Sequence, residues 1–204
     1  MPLSLEEGKA AVILARKTLD AHVRGLRLAP EKPLLGVFKE KRGAFVTLKV
    51  VESGAESLRG CIGYSEPIKP LGEAIQDVTV FASQDPRFPH PVAPQELDQI
   101  VVEVSVLTLP TDLHVSKRRD LPSKIRLGVD GLIISNPYTS GLFLPQVATE
   151  QGWDQMTYIS EACGKAGLPF DSWLDETTRV QVFQAEIFAE SAPRGKVVRV
   201  NPES

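Results

Sequence analysis

Apolar residues recur at helical spacing from the start of the chain: Leu5, Val12, Ala15, Leu19, Val23 and Leu26. That period predicts an amphipathic helix, and its end is expected before Pro30. Ser4 and Glu7 frame its start as a capping box: the hydroxyl accepts the Glu7 amide and the carboxylate reaches back. "LLGVFKEKRGAFVTLKV" then reads as a hairpin, with Lys39 to Gly43 as its polar turn and Phe45 to Val50 as a strand. "SLRGCIG" reads as a returning strand weakened by glycines. Leu71, Ala74, Ile75, Val78 and Ala82 mark a second helix opening near Pro70.

Periodicity fails in "DPRFPHPVAP", where four prolines exclude regular helix or central strand. Phe88 and Val92 make it an ordered, packed loop. "IVVEVSVLTL" is the clearest strand, with Val102, Val104 and Val106 on one face and Glu103 and Ser105 on the other. The basic stretch around Lys117, Arg118 and Arg119 is a solvated connection. "GLIIS" and "GLFLP" form a second hairpin around residues 136–140. Asp154 caps a helix whose buried stripe is Met156, Ile159, Cys163 and Ala166, with Gly167 and Pro169 as the stop. "TRVQVFQAEIF" closes the fold as one strand. Helices interspersed with hairpin-joined strands predict an α+β fold of antiparallel or mixed sheet with flanking helices, in two lobes.

Composition narrows the function classes. The 204 residues are 42% hydrophobic and 24% charged with net charge −3, which fits a folded protein without bulk attraction for nucleic acid or an anionic membrane. The opening "MPLSLEEGKAA" is acidic where a signal peptide is basic. No apolar run approaches the roughly 20 residues of a membrane span. Cys61 and Cys163 are too few for a disulfide scaffold. The expectation is a reduced, cytoplasmic protein.

The candidate chemistry centres on "LRGCIG", Leu58 to Gly63. Strand alternation puts Arg59 and Cys61 on one face, where a guanidinium can favour the thiolate. Gly60 and Gly63 let either a ligand or another part of the chain approach closely. Against a reactive thiol stands the habit of free cysteine simply to pack; Cys163, on an apolar stripe, is core. Arg87 can hold a carboxylate or phosphate with its planar fork, or it can pair with Asp85 to pin the loop. Gln146 in "GLFLPQV" can read a ligand from apolar surroundings or satisfy the end of a strand. Glu103 is a solvent-face residue or a site acid. His22, His90 and His114 have no metal spacing. No Walker loop, dinucleotide fingerprint or nucleophile elbow occurs, so no cofactor is expected.

In "LRGCIGYSEPIKPLGEAI", "SQDPRFPHPVAPQELDQIVVEVSVLT" and "GLFLPQVATEQGWDQMTYISEACGKAGLP" the chain resembles the AMMECR domain family. The resemblance runs in order from about Glu6 to Glu190, and Leu58 to Gly63 carry the family signature complete. It implies one domain over residues 1–204, built of two interleaved subdomains with a cleft, the signature lying near that cleft. It also implies membership of a system with a Memo-like protein and a radical-SAM protein, and no established reaction. His90 departs from the family's common proline. Two functions stand at this point. One is a small-molecule enzyme or enzyme component using Cys61, with Arg59 as its electrostatic partner and Gly60, Gly63, Asp85, Arg87 and Gln146 as binding residues. The other is a non-catalytic adaptor for a Memo-like or radical-SAM partner.

Overall fold

The computed structural model describes residues 2–27 and 36–200. Their Cα packing divides the chain into two compact units, Met1–Leu107 with Glu186–Ser204, and Thr108–Ala185. Among the described residues the architecture is α+β with antiparallel sheets and four α-helices. None of the described helices is long and apolar enough to cross a membrane.

The first unit opens with α1 (Leu5–Val23), and its capping box forms: the Ser4 hydroxyl accepts from the Glu7 amide while the Glu7 carboxylate accepts from the Ser4 amide. The helix stops earlier than the apolar period suggests. Gly25 takes the left-handed conformation at φ 66°, and the Leu26 amide reaches back to the Ala21 carbonyl, closing a Schellman turn. Leu26 is therefore outside the helix and exposed, and Leu5, on the first turn, is exposed as well. The expected break at Pro30 lies outside the described residues.

The first hairpin also sits elsewhere than expected. Residues Gly36–Lys39 form a single 3-10 turn that buries Val37 and Phe38. The hairpin joins β1 (Ala44–Glu52) to β2 (Ala55–Tyr64) through Ser53 and Gly54, whose φ values of 52° and 83° are those of a type I′ turn. Helix α2 (Leu71–Ser83) follows, with Pro70 at its N-cap position. Strand β3 (Ile100–Leu107) pairs antiparallel with β1, so β1 lies between β2 and β3. Val46 and Leu48 of β1 and Val102 and Val104 of β3 share one sheet face, which α1 and α2 cover, and all four are fully buried. The other face carries Phe45, Thr47 and Lys49 beside Ser105, Glu103 and Val101.

The second unit holds β4 (Thr111–Asp112), β5 (Gly131–Ser135), β6 (Ser140–Phe143), α3 (Gln146–Gln151), α4 (Gln155–Lys165) and β7 (Arg179–Phe183), in sheet order β4-β7-β5-β6. Asp154 caps α4 by accepting the Thr157 amide at 2.7 Å. Ile159, Cys163 and Ala166 are buried, but Met156, in the helix's first turn, is exposed. The expected basic connection is a pair of 3-10 turns rather than a solvated loop: Arg118 donates to the carbonyls of Asp175 and Thr178 at 2.9 and 2.6 Å.

"TRVQVFQAEIF" is two strands, not one. Gln184 interrupts it, exchanging hydrogen bonds with Thr108: its amide donates to the hydroxyl and its carbonyl accepts the amide. Before that break β7 belongs to the second sheet; after it β8 (Ala185–Glu190) enters the first, which runs β2-β1-β3-β8-β9 with β9 (Val197–Val200) at its edge.

Candidate functional site around Cys61

Strand β2 is the other edge of the five-stranded sheet. Its register with β1 slips by one residue between Leu48 and Lys49: Gly60 faces Leu48, Leu58 faces Lys49, and Arg59 is the extra residue of a β-bulge. A bulge re-aims its side chain, so simple alternation does not describe Arg59. Its Nε and Nη2 donate to Glu96 at 2.7 and 3.2 Å, Nη2 also donates to the His90 carbonyl at 3.1 Å, and the guanidinium lies 5.4 Å from the centre of the Phe88 ring. Arg59 thus clamps the proline-rich loop. Burial pushes the Glu96 carboxyl up, but the Arg59 hydrogen bond and the Ala93 amide outweigh it and leave it lowered.

The guanidinium that reaches Cys61 is Arg87. Cys61 sits directly opposite Thr47 of β1, while its own N–H and C=O point off the sheet edge. There Asp85 Oδ2 accepts the N–H at 2.9 Å, and Arg87 Nη2 donates to the carbonyl at 3.0 Å. Asp85 and Arg87 grip each other through three further bonds, Nε to Oδ1 at 3.0 Å and to Oδ2 at 3.2 Å and Nη2 to Oδ2 at 2.6 Å, and Asp85 also accepts the Arg87 amide. The pair takes the place of a neighbouring strand and blocks the edge at this residue. Asp85 has no exposed side-chain surface, whereas the Arg87 side chain is 57% exposed. The Arg87 hydrogen bonds, opposed by burial and assisted by the Cys61 and Arg87 amides, hold the Asp85 carboxyl far below the usual carboxylate range.

Cys61 itself is half-buried, and its Sγ lies 3.2 Å from Thr47 Oγ1. Facing pairs whose N–H and C=O point away from each other bring their side chains closest, which accounts for that contact. Thr47 in turn faces Glu103 on β3, and Glu103 accepts Lys49 Nζ at 2.9 Å. Burial would lower the Lys49 ammonium, but its Glu103 hydrogen bond prevails and raises it. Thiol, hydroxyl and carboxylate therefore form a row across three strands, on the face away from the helices.

The glycines admit the protein's own chain. A Cβ on Gly60 would meet the Ala82 carbonyl oxygen at the end of α2, and one on Gly63 would meet the Phe45 ring and the Ala44 carbonyl. Gln146 is in the second unit, at the first residue of α3; its side chain is exposed rather than enclosed by apolar groups. Cys163 is fully buried in the second core, and burial pushes its thiol up. Thr47, Lys49 and Glu96 escape a motif search because each is defined by the residue opposite it; alternation of Thr47 and Lys49 against Val46 and Leu48 is the signal that places two of them.

The family model described as AMMECR1 matches residues 12–188. The chain belongs to the AMMECR1 family. It is 52% identical over 193 residues to a protein of Methanothermobacter thermautotrophicus, covering 93% of this chain and 97% of the relative. It is 46% identical over 197 residues to protein MJ0810 of Methanocaldococcus jannaschii, covering 96% of each. The crystal structure of uncharacterized protein PH0010 from Pyrococcus horikoshii matches with a TM-score of 0.72 and 45% identity, over 96% of this chain and 97% of that one. Neither these relatives nor the family description assigns an activity, so the reading of this AMMECR1-family site rests on its chemistry.

Proposed function

We propose that the chain is an enzyme, or a component of one, that acts on a small molecule through the thiol of Cys61. The observation that carries this reading is how that thiol is held. Its main-chain N–H and C=O are both held, by Asp85 and Arg87 on the sheet edge, and its Sγ is 3.2 Å from a hydroxyl on the next strand. A thiol that merely fills space has no use for such fixation, whereas a reacting or ligand-contacting group needs it. Cys61 is half-buried, whereas Cys163 is fully buried. Arg59, bound to Glu96, supports the loop in this reading, and Arg87 is the guanidinium at the thiol's own residue.

Alkylation with iodoacetamide, resolved by site with mass spectrometry, tests it. Native protein is expected to label at Cys61 and to spare Cys163. A Cys61 that stays unlabelled until the protein is denatured defeats the proposal.

A second reading has its own observation. Pro86, Arg87, Pro89, His90 and Pro91 are all exposed on a loop anchored underneath by Val92. A proline-stiffened surface loses little entropy on binding, so the loop suits a docking element for a protein partner, with Memo-like and radical-SAM proteins the candidates. Co-purification of His90→Ala, which changes only an exposed side chain, separates the readings: it weakens capture of a partner and leaves Cys61 labelling as it was.

A further inference from the structure

Among the described residues, every ionic side chain placed around Cys61 is already matched. On the sheet edge Arg87 is paired with Asp85. At the bulge Arg59 is paired with Glu96. Across the open sheet face Lys49 is paired with Glu103, with Glu56 a further 3.7 Å from Lys49. His90 offers Arg59 only its carbonyl. Thr47, the side chain in contact with Sγ, is uncharged, and α2 presents the backbone of Ala82 at Gly60. Three cations thus face four carboxylates.

We infer that Asp85 and Arg87 are positioning residues for the Cys61 main chain, and that the ligand meeting Cys61 is uncharged at the point of contact rather than a carboxylate or phosphate. This rests on the proposed role of the Cys61 thiol. An arginine serving as an anion receptor keeps its fork free for the ligand. Arg87 spends its Nε and Nη2 on Asp85 and on the Cys61 carbonyl. Arg59 likewise spends its Nε and Nη2 on Glu96 and the His90 carbonyl, and its remaining nitrogen, Nη1, is buried and out of a ligand's reach. At the thiol itself stands the Thr47 hydroxyl, which recognises a neutral polar group by hydrogen bonds.

Two alkylating reagents of nearly equal size measure this. Iodoacetamide is neutral and iodoacetate is an anion, so the ratio of their rates at Cys61, divided by the same ratio for N-acetylcysteinamide, reports the local charge. The wild-type protein is expected to give a ratio within about twofold of the model thiol, or lower for iodoacetate because of Glu56. Asp85→Asn exposes the Arg87 charge and is expected to raise the iodoacetate ratio about fivefold, the effect of one unit charge at contact distance in water. Arg87→Gln leaves the carboxylate unmatched and lowers the ratio. A wild-type protein that already prefers iodoacetate several-fold overturns the inference whatever the variants do, and so does a folded Asp85→Asn variant whose ratio is unchanged. If Cys61 labels with neither reagent, the thiol reading itself has failed and the ligand class falls with it.

Discussion

A methyl group on Gly60 would lie 2.1 Å from the carbonyl oxygen of Ala82 and 3.5 Å from Cβ of Asp85. No real Cβ contact is so short, and the oxygen belongs to the last turn of α2, which cannot move without shifting Asp85 away from Cys61. Gly60→Ala is therefore expected to destabilise the protein by about 1–3 kcal/mol through overpacking. Gly63→Ala is expected to cost a similar amount, because a Cβ there would meet Phe45 Cγ at 2.2 Å, the root of the ring, and the Ala44 carbonyl oxygen at 2.6 Å. Gly36→Ala, with nothing among the described residues within 4 Å, serves as the control and should be neutral or gain up to about 1 kcal/mol. Urea midpoints of the three variants decide. Equal midpoints for Gly60→Ala and Gly36→Ala would remove the steric role of the motif's first glycine.

The acid limb of stability should carry the mark of Asp85. Its carboxyl is depressed in the folded protein, chiefly by the Arg87 hydrogen bonds. Such a group lends stability above its unfolded pKa of about 3.9 and loses it as the pH falls below that value. Asp85→Asn is expected to cost about 1–3 kcal/mol near pH 7, the range for leaving buried donors poorly satisfied. The difference from wild type should then shrink steadily below about pH 4. Denaturant melts between pH 7 and pH 3 measure it; a gap that stays constant over that range assigns the loss to packing instead.

Much of this fold can be read along the chain. The Ser4–Glu7 cap, the α2 stripe and the alternation of β3 all formed as local patterns predict, because each depends on neighbours within a turn or a strand. The misplacements have local causes too. Gly25 ended α1 before the apolar period did, and Ser53–Gly54 was a better hairpin turn than the charged Lys39–Gly43 stretch. Gln184 looks like one more strand residue, and only its bonds to Thr108 show the break. The site was legible as a neighbourhood, since Cys61, Asp85 and Arg87 do meet. Its wiring was not. Arg59 shares a face with Cys61 only if β2 is regular, and a single bulge gives that arginine to Glu96 while the loop supplies Arg87.

Among the ion pairs between described residues of the first unit, Arg16 and Glu190 form a well-enclosed one, with side chains 9% and 5% exposed. Arg16 Nε donates to Glu190 Oε1 at 2.9 Å, and its other nitrogens donate to the Leu97 and Ile100 carbonyls; Glu190 also accepts the Val102 amide. One arginine thus ties α1 to β8 and to both sides of the β3 entry. Arg16→Met should destabilise by about 3–5 kcal/mol, the cost of leaving a buried charge unpaired. Adding Glu190→Leu removes that charge but leaves the Val102 amide and two carbonyls without partners, so recovery should be partial. Full recovery in the double variant, read by denaturant melts, would show that the carbonyl contacts contribute nothing.

Thr47 is the side chain through which β1 addresses the thiol. Its hydroxyl, 3.2 Å from Cys61 Sγ, can donate to the thiolate that alkylation consumes. Thr47→Val keeps the branched shape that suits a central strand and deletes only that donor. Iodoacetamide labelling of Cys61 at pH 7.5 should slow by about three- to tenfold, the net worth of one hydrogen bond expressed as a rate. Thr47→Ser restores the hydroxyl and should restore most of the rate despite losing a methyl group. A merely structural role predicts the reverse order, with valine closer to wild type than serine. Slow labelling in both variants would mean that a hydroxyl without the methyl does not sustain the rate; the ranking serine above valine is what identifies the hydroxyl as the group acting on Cys61.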